Sequence, residues 1–409
     1  MMTEAQVEKR YAQLGEQLAE KGIDIEAAKT QLMAFRVELP SWVFGAFGGG
    51  RFGAYMPPGA ARNVFEKIDD AVTAAHLTGG VDRVALHAGW DKPDEVAFED
   101  ISIDHFKGVA EYCAEKGIGI GAVNPTLFLA GTHYGSFSSP DAGTRECLVK
   151  HSVTCGEIAA RYADNLVTYW LPDGSNYPGQ IDLAEAEMRV RDCLVEIYNS
   201  APDTVQHLVE YKLFEPGTFS TTIPDAGVAK DLAADMGDRA GVLVDMGHHA
   251  FAVNIAQIVA RLIRRRIRGG FHFNSRYAAD DDHSVEPGLR MFEIFCELVA
   301  GKVVNGDAAW AYMIDQCSGL ENRVHAVLHS VDSLQISLAR ALIVDRAALA
   351  ERQADNDIIR ANRVLLDAFN TDVRSLVAQA RLEKGGAADP VEAYVASGYQ
   401  EKINEERMS

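Results

Sequence analysis

The sequence lacks a long uncharged apolar run, a signal peptide and low-complexity segments. No window reaches the ~18 uncharged apolar residues that a membrane-spanning helix needs. The first residues, MMTEAQVEKRYAQLGEQL, are charged and helical in pattern, without the apolar region of a secretory signal. The chain has 409 residues and is 47% hydrophobic, which is enough for a full core and too apolar for a disordered chain. These features predict a large globular protein that does not interact with membranes.

Cysteine is scarce and scattered. The six cysteines form no CxxC pair, and most lie within helical patterns: Cys113, Cys147, Cys155, Cys193, Cys296 and Cys317. Unpaired cysteines in this arrangement are typical of reduced thiols. We therefore predict a cytoplasmic location.

Positive charge is also in short supply. The chain has 39 basic and 59 acidic residues, a formal net charge of −20. This balance argues against a nucleic-acid or anionic-membrane partner. The one conspicuous basic cluster is Arg261–Arg268 (RLIRRRIR). It could bind phosphate, but it is more typical of the solvated end of a helix that pairs with acidic neighbours.

Strand-like and helix-like segments alternate along most of the chain. Residues up to about Glu38 have helical patterns, with Asp24 as the cap of the second helix. Eight short apolar runs then indicate strands buried on both faces: Trp42–Phe47, Arg83–Ala88, Ile118–Val123, Leu166–Leu171, Val205–Tyr211, Val242–Met246, Gly270–Asn274 and Ala311–Asp315. Helical patterns separate them, at spacings of roughly 25–45 residues, which predicts an α/β fold with a (β/α)8 TIM barrel. We divide the chain into an N-terminal helical segment (1–38), a catalytic barrel (39–320) and a C-terminal helical extension (321–409).

The C-terminal extension is amphipathic. Val324–Leu342 and Arg346–Phe369 each have an apolar face that must cover something. Either the extension wraps its own barrel or it supports a subunit interface. We predict a homo-oligomer.

Metal-ligand residue types lie where several predicted strands end. Glu210 and Lys212 are two apart on one strand, so both point to one face. In order along the chain, the candidate ligands are Glu210, Asp245, His248, His272, Asp280, Asp282 and Asp315. Charged groups at buried strand ends are normally paired or bind a metal. Seven ligands without a thiolate fit two hard divalent ions that share a carboxylate, and the two imidazoles favour Mn²⁺ or Co²⁺ over Mg²⁺.

Each of these residues has a plainer interpretation when it is taken alone. A single histidine near a strand end is more often a core or surface residue, and the run DDD (Asp280–Asp282) is typical of a solvated loop. His249 is interpreted as a hydrogen-bonding neighbour, and His207, out of register with the strand ends, as structural. The prediction of a metal site therefore depends on the ordered set.

Aromatic residues accompany the candidate ligands. His87 and Trp90 end the second predicted strand, Trp170 ends the fourth, and Trp42 begins the first. Aromatic faces beside carboxylates suit a polyol, whose C–H faces stack while its hydroxyls form hydrogen bonds. Core filling is the alternative for the tryptophans.

Several motifs resemble one known family. They include LHAGWDK (Leu86–Lys92), DGSNYPGQ (Asp173–Gln180), VDMGHHA (Val244–Ala250), GGFHFN (Gly269–Asn274) and MIDQ (Met313–Gln316). With these motifs the chain resembles, nearly end to end, the L-rhamnose isomerases of the broad-specificity bacterial type, and more distantly xylose isomerase. Three departures, GAFGGGRF (Gly45–Phe52), Cys317 and a shorter loop around Asp280–Glu286, concern the pocket rim and put the preferred sugar in question.

The resemblance implies a role for each candidate residue. Glu210 is implied to bridge two divalent ions; Asp245, His272 and Asp315 to complete one site; and His248, Asp280 and Asp282 the other. Lys212 is implied to contact the sugar oxygens near C1, and His87 to hold the sugar and assist ring opening. Trp42, Trp90, Phe128 and Trp170 are implied to wall the pocket. The family is a cytoplasmic tetramer of TIM barrels.

The activity implied by the resemblance is aldose–ketose isomerisation. The expected reaction is L-rhamnose to L-rhamnulose, with other aldoses such as D-allose, L-mannose and L-lyxose accepted. Hydrogen moves between C1 and C2 either by a direct hydride shift or through an enediol, with Asp315 or a neighbour as base. Alternatives are another sugar isomerase of the same fold, a metal-dependent hydrolase of the endonuclease IV type, against which the net charge argues, and a non-catalytic sugar-binding protein.

Overall fold

Eight parallel strands close into a barrel in the order in which they follow one another along the chain. The computed structural model describes residues 2–45, 58–129, 131–213, 219–275, 283–306, 310–316 and 321–407. The strands are β1 (Val37–Pro40), β2 (Val81–His87), β3 (Gly119–Asn124), β4 (Leu166–Tyr169), β5 (Gln206–Glu210), β6 (Ala240–Asp245), β7 (Arg268–Phe273) and β8 (Ala311–Ile314). Each pairs in parallel with the next, and β8 pairs with β1. The predicted TIM barrel is confirmed.

The first strand is the one that sequence patterning misplaced. The other seven predicted strands lie within two residues of the observed ones at each end. The prediction of a strand at Trp42–Phe47 was wrong, because the chain forms β1 at Val37–Pro40 and then a 3-10 helix at Ser41–Phe44. The prediction followed the apolar run that begins at Trp42, because β1 itself contains Glu38, a charged residue type that is uncommon in a buried strand. Glu38 is buried in the barrel, where its carboxylate accepts the Ala122 backbone N–H.

Helices surround the barrel and extend beyond it. They are α1 (Glu4–Ala19), α2 (Ile25–Ala34), α3 (Val64–Thr78), α4 (Ala88–Asp91), α5 (Lys107–Lys116), α6 (Ala142–Tyr162), α7 (Leu183–Ser200), α8 (Ala226–Met236), α9 (Ile255–Arg264), α10 (Leu289–Ala300), α11 (Arg323–Leu342), α12 (Arg346–Ala354), α13 (Ile358–Asn370), α14 (Arg374–Glu383), α15 (Pro390–Ser397) and α16 (Tyr399–Arg407). Asx caps begin many of them. The cap predicted at Asp24 is confirmed, since its side chain accepts the N–H groups of Glu26 and Ala27.

The inside of the barrel is a packed apolar layer. It consists of Trp42, Ala85, Ala122, Leu166, Leu208, Leu243 and Met313. A larger apolar cluster fills the space between strands and helices. Polar groups inside the barrel are therefore confined to its two ends, and the two ends are separated by hydrocarbon.

The first helix of the predicted C-terminal extension belongs structurally to the ring of barrel helices. α11 packs between α10 and α3, and most of its residues are buried. α14 packs on α1 and α2, and the last helix is tied to α3 by Arg407, which donates to Asp70 at 2.8 and 2.9 Å. Within the described ranges, no single helix is long and apolar enough to cross a membrane. The two consecutive helices Arg323–Leu342 and Arg346–Ala354, which are bent by 60° relative to each other, reach that length and apolar content only when taken together.

A buried ion pair holds the first two barrel units together. Lys67 of α3 donates to Asp91 at 2.6 Å, and the two side chains are 9% and 0% exposed. The second oxygen of Asp91 accepts the His87 backbone N–H at 2.7 Å and the hydroxyl of Ser41. This carboxylate therefore connects α3, the end of β2 and the segment after β1. Removing its cation would leave a buried charge without its counter-ion.

We predict that Lys67→Met lowers the free energy of unfolding by about 3–5 kcal/mol, the loss expected when a buried pair loses one partner. Urea denaturation of the variant and the parent chain measures the difference. Lys107→Met is the matched control, because Lys107 forms an exposed pair with Glu111 at 3.7 Å and should change the same quantity by less than about 0.5 kcal/mol. Equal effects of the two substitutions would contradict the prediction.

Candidate active site

The strand register brings four candidate ligands to one end of the barrel. Asp245, the last residue of β6, pairs with His272 of β7, and Glu210 is the last residue of β5. His272 also pairs with Met313 of β8, so Asp315 follows two residues later at the same edge. Because all strands are parallel, these carboxyl ends lie together, where TIM barrels carry their active sites.

The resulting cluster is compact and almost fully buried. Nδ1 of His272 lies 3.2 Å from Oε1 of Glu210, 3.5 Å from Oδ2 of Asp315 and 3.8 Å from Oδ2 of Asp245. His248, in the loop after β6, brings its Nδ1 to 3.2 Å from the same Glu210 oxygen. Glu210 thus lies between two imidazoles. Asp315 is the most accessible member, with a side chain 20% exposed.

The charges in the cluster shift one another's pKa values. Burial alone disfavours charged imidazole, but the neighbouring carboxylates outweigh it and raise the pKa of His248 to about 9 and that of His272 to about 10. Burial raises the pKa of Glu210, but the two imidazoles outweigh it and lower that pKa. Asp315 responds in the opposite direction: burial, together with the charges of Asp245 and Glu210, raises its pKa. The site thus favours positive charge among its carboxylates.

The donor set fits a divalent cation. One ligand atom each from Glu210, Asp245 and His272 lies within 4.8 Å of the others. Nε2 of His272 is buried and has no hydrogen-bond partner in the described part of the chain. Nδ1 of the same ring faces the three carboxylates, so this histidine is suited to bind a cation held by them. Asp245 is held in place by the Gly247 N–H at 2.7 Å and the Asn274 amide at 3.0 Å.

Five of the seven predicted metal ligands come together here. They are Glu210, Asp245, His248, His272 and Asp315. The other two, Asp280 and Asp282, lie outside the described residues. The predicted substrate contacts line a cavity of about 120 Å³ against the same cluster: Trp42, His87, Trp90, Phe128, Trp170 and Lys212.

Aromatic rings and one lysine form the wall opposite the carboxylates. The Lys212 ammonium lies 5.2 Å from the centroid of the Trp170 ring, and Phe128 lies 5.4 Å from the same ring system. The indole N–H of Trp42 donates to Oδ1 of Asp315 at 2.9 Å. The cavity therefore combines an anionic face, a cation and apolar ring faces, which suits a small polyhydroxyl ligand.

His87 is held as a neutral imidazole. Burial lowers its pKa well below the ordinary value. Its ring stacks on Trp90 at 4.1 Å, and its Nδ1 lies 2.6 Å from Oγ1 of Thr126. The same oxygen accepts the Gly89 N–H at 2.8 Å. A Cβ on Gly89 would lie 2.4 Å from this oxygen, so only glycine permits the contact.

Sequence reasoning missed three polar residues of this site. Asn124 and Thr168 line the cavity, and Thr126 fixes His87 from behind. Asn124 ends β3, and its register partner is His87. The sequence signal for Asn124 was a polar residue at the end of an apolar strand. The prediction applied that signal to carboxylates and histidines and did not extend it to amide and hydroxyl side chains.

Two histidines interpreted as non-ligands have other partners. Nδ1 of His207 lies 2.8 Å from the Tyr169 hydroxyl, and its Nε2 lies 3.4 Å from Arg239, away from the cluster. Nε2 of His249 lies 2.7 Å from the Tyr211 hydroxyl. Both contacts agree with the structural interpretation of these residues.

Comparison with known sequences identifies one family. The model of the L-rhamnose isomerase (RhaA) family matches residues 5–374. A probable sugar isomerase of Mesorhizobium japonicum is 38% identical over 411 residues, covering 98% of this chain and 93% of that protein. An L-rhamnose isomerase of Bacteroides thetaiotaomicron is 24% identical over 376 residues, covering 87% and 88% of the two chains.

Comparison with solved structures concerns the fold alone. The structure of an L-ribulose 3-epimerase superposes with a TM-score of 0.54 at 14% identity, and the match covers 79% of this chain and 98% of that one. The match supports the barrel architecture.

We predict that the affinity of the cluster for Mn²⁺ falls as the pH is lowered from 8 to 6. Ligating imidazoles must be neutral, whereas the carboxylates raise the pKa of His248 to about 9 and of His272 to about 10, so the cation must displace protons. Isothermal titration calorimetry in two buffers of different ionisation enthalpy measures both the affinity and the protons released. An affinity independent of pH, with no proton release, would contradict the assignment of these imidazoles as ligands.

Proposed function

The chain belongs to the L-rhamnose isomerase family, and on that premise we propose that it is a metal-dependent aldose–ketose isomerase. The proposed reaction is L-rhamnose to L-rhamnulose, with other aldoses accepted. The observation that carries the proposal is the buried cluster of carboxylates and imidazoles around Glu210, which opens into a cavity walled by Lys212 and aromatic rings. Cations at this point would meet two adjacent oxygens of an open-chain sugar.

We propose two divalent ions per subunit, Mn²⁺ in preference to Co²⁺ or Mg²⁺. Glu210 is assigned as the bridging ligand because one of its oxygens lies 3.2 Å from both His248 and His272. Asp245, His272 and Asp315 complete one site, and His248 with Asp280 and Asp282 completes the other. When bound, the ions act as Lewis acids on the O1 and O2 positions of the sugar. Mixed oxygen and imidazole ligands without thiolate support the choice of Mn²⁺.

The remaining roles go to three side chains on the cavity wall. Lys212, which lines the cavity beside Trp170, holds a sugar oxygen near C1. We assign the ring proton of His87 to Nε2, with Nδ1 accepting from the Thr126 hydroxyl. His87 then donates a hydrogen bond to the sugar and assists ring opening. Asp315, the most exposed carboxylate, serves as ligand and proton acceptor, and Trp42 fixes its orientation.

Aromatic side chains define the rest of the sugar site. Trp42, Trp90, Phe128 and Trp170 present their rings to the C–H faces of the substrate. The route of the hydrogen between C1 and C2 is decided by isotope exchange. Retention of the substrate hydrogen in deuterated water supports a direct hydride shift from C2 to C1, whereas deuterium incorporation at C1 of the ketose product supports an enediol with Asp315 as base.

The second candidate function is isomerisation of another aldose by the same site. This candidate is supported by a relative that is 38% identical and is named a probable sugar isomerase, without a stated sugar. A hydrolase of the endonuclease IV type is a weaker alternative, because a net charge of −20 opposes binding of a nucleic acid.

The direct test is a ketose assay with L-rhamnose, L-lyxose, L-mannose and D-allose after EDTA treatment and re-addition of Mn²⁺, Co²⁺ or Mg²⁺. We expect activity to vanish with EDTA and to return with Mn²⁺. Glu210→Gln should lose both metal content and activity, since a bridging ligand loses its charge. Full activity in EDTA would overturn the metal-dependent mechanism, and inactivity toward every sugar would overturn the substrate class.

For Lys212 we predict a kinetic rather than a structural effect. Lys212→Met should leave Mn²⁺ content unchanged and reduce kcat about a hundredfold. That reduction corresponds to a loss of about 3 kcal/mol of transition-state stabilisation. Steady-state kinetics with metal analysis measure both quantities, and the exposed Lys107→Met is the control. A variant that raises KM at unchanged kcat would mean that Lys212 only binds the ground state.

We propose further that the protein is a homo-oligomer, a tetramer, built through its C-terminal helices after Leu342. Ile358 and Ile359 at the start of α13 are 75% and 71% exposed, although they are among the most apolar residue types. Within the described part of the chain, neither the barrel nor its neighbouring helices cover them.

We also propose the domain limits 1–38, 39–320 and 321–409, with α11 of the last segment packed on the barrel. We further propose a cytoplasmic location, which is supported by the absence of disulfides among the described cysteines.

We expect the double variant Ile358→Asp, Ile359→Asp to reduce the assembly state, because the charges would be desolvated at an interface. Light scattering at a fixed protein concentration measures the mass against the 44.5 kDa of one chain. The control is Met188→Asp, at an apolar residue that is 47% exposed on α7, outside the C-terminal helices. Unchanged mass in the double variant would remove this surface from the interface.

A further inference from the structure

The barrel has a second polar cavity at the end opposite the active site. It measures about 330 Å³ and is formed where the strands begin. Arg36 precedes β1, Arg83 lies near the start of β2, Gln206 begins β5 and Arg268 begins β7. None of these residues has a role in the proposed isomerase site.

Arg268 is the unusual member of this cavity. It is half-buried, its Nε is buried without a hydrogen-bond partner, and no carboxylate of the described chain lies within ion-pair distance. Burial lowers the pKa of its guanidinium, and no acidic neighbour opposes that effect. Arg36, by contrast, pairs with Asp82 at 2.7 Å, and Arg83 pairs with both Asp82 and Asp164. A half-buried guanidinium without a counter-ion has lost part of its hydration, so an external anion would stabilise it.

The charges that face the cavity leave Arg268 as a guanidinium without an ion-pair partner among the described residues. Three guanidinium groups face two paired aspartates, and burial raises the pKa of the third carboxyl, Glu38, to about 7. Just outside the cavity, burial and the charge of Arg36 lower the pKa of Lys384 to about 8.

Two further features indicate a ligand larger than a bare ion. The side-chain oxygen of Gln206 is buried and has no hydrogen-bond partner in the described structure, so it can accept from a ligand hydroxyl. Trp310 lies flat against the start of β7, where a Cβ on Gly269 would come within 2.4 Å of its ring, and it forms an apolar wall next to Arg268. Cavities of about 300 Å³ and above hold small organic molecules.

We propose that this cavity binds a phosphate group, that of a small hydroxylated phosphate monoester or of free phosphate. Arg268 receives the phosphate oxygens, and Gln206 accepts a hydrogen bond from a hydroxyl of the ligand. The planar guanidinium matches two phosphate oxygens at once. Arg268 is the last arginine of the basic run Arg261–Arg268. It differs from Arg261 and Arg264 of the same run, which are exposed on α9.

The phosphate site is separate from the isomerase site. Arg268 and His272 lie on the same strand four residues apart, roughly 13 Å at ~3.3 Å per residue. The apolar layer containing Leu208 and Leu243 fills the barrel between them. Binding at one end therefore does not require the ligands of the other.

Calorimetry on the full-length protein tests the proposal, with inorganic phosphate, glycerol 3-phosphate and acetate as probes at constant ionic strength in chloride. Titrations are run on metal-loaded and on EDTA-treated protein. We expect saturable binding of both phosphate compounds in both forms, tighter for glycerol 3-phosphate because of its hydroxyls, and little binding of acetate. Loss of binding after EDTA treatment would assign it to the metal centre and overturn the proposal, as would equal binding of acetate.

Variants connect the binding to the cavity. Arg268→Gln should weaken phosphate binding at least tenfold, whereas Arg264→Gln, an exposed arginine of the same basic run, should leave it unchanged. Gln206→Glu, which adds a negative charge beside the ligand, should also weaken it and provides an independent test if Arg268→Gln disturbs folding. Isomerase activity without phosphate should be the same in all three variants. Unchanged phosphate affinity in Arg268→Gln and Gln206→Glu would overturn the site.

Discussion

The contact between Glu210 and two imidazoles is the interaction on which the site depends. A carboxylate buried at the end of β5 is tolerated because His248 and His272 both lie 3.2 Å from one of its oxygens. Each imidazole in turn meets Asp245, and His272 also meets Asp315. Removing any one charge would leave the others poorly compensated in a region that excludes water. The same arrangement of charge makes the cluster suitable for cations.

The barrel enforces this arrangement and also divides the molecule. Parallel register aligns the carboxyl ends of β5 to β8, so ligands far apart in sequence meet at one edge. Apolar side chains such as Leu208 and Leu243 then fill the barrel below them. Polar chemistry is possible at either end of the barrel but not between the ends, which is why a carboxylate–imidazole cluster and an arginine-lined cavity coexist without contact.

Much of this organisation could be predicted from the sequence, and the exceptions have physical reasons. Seven strands follow from short apolar runs, because strands buried on both faces leave few other patterns. β1 was missed because Glu38, a residue type that usually faces water, is buried there through a hydrogen bond to the backbone of β3. Thr126 was missed because it orients His87 through a contact between two separate barrel units, which are 39 residues apart in the sequence at this point. α11 looked like an extension, although it packs on the barrel between α3 and α10.

The sequence by itself determined the order of strands and helices, the residue types at the strand ends and hence the kind of chemistry the chain can support. Periodicity and residue type are local properties, and they are encoded locally. Only the tertiary structure decided which of those residues meet. It set the register that pairs Asp245 with His272, and it left Arg268 at the far end of the barrel without an ion-pair partner among the described residues. Distances and compensating charges between distant segments arise from packing, so no single segment of sequence contains them.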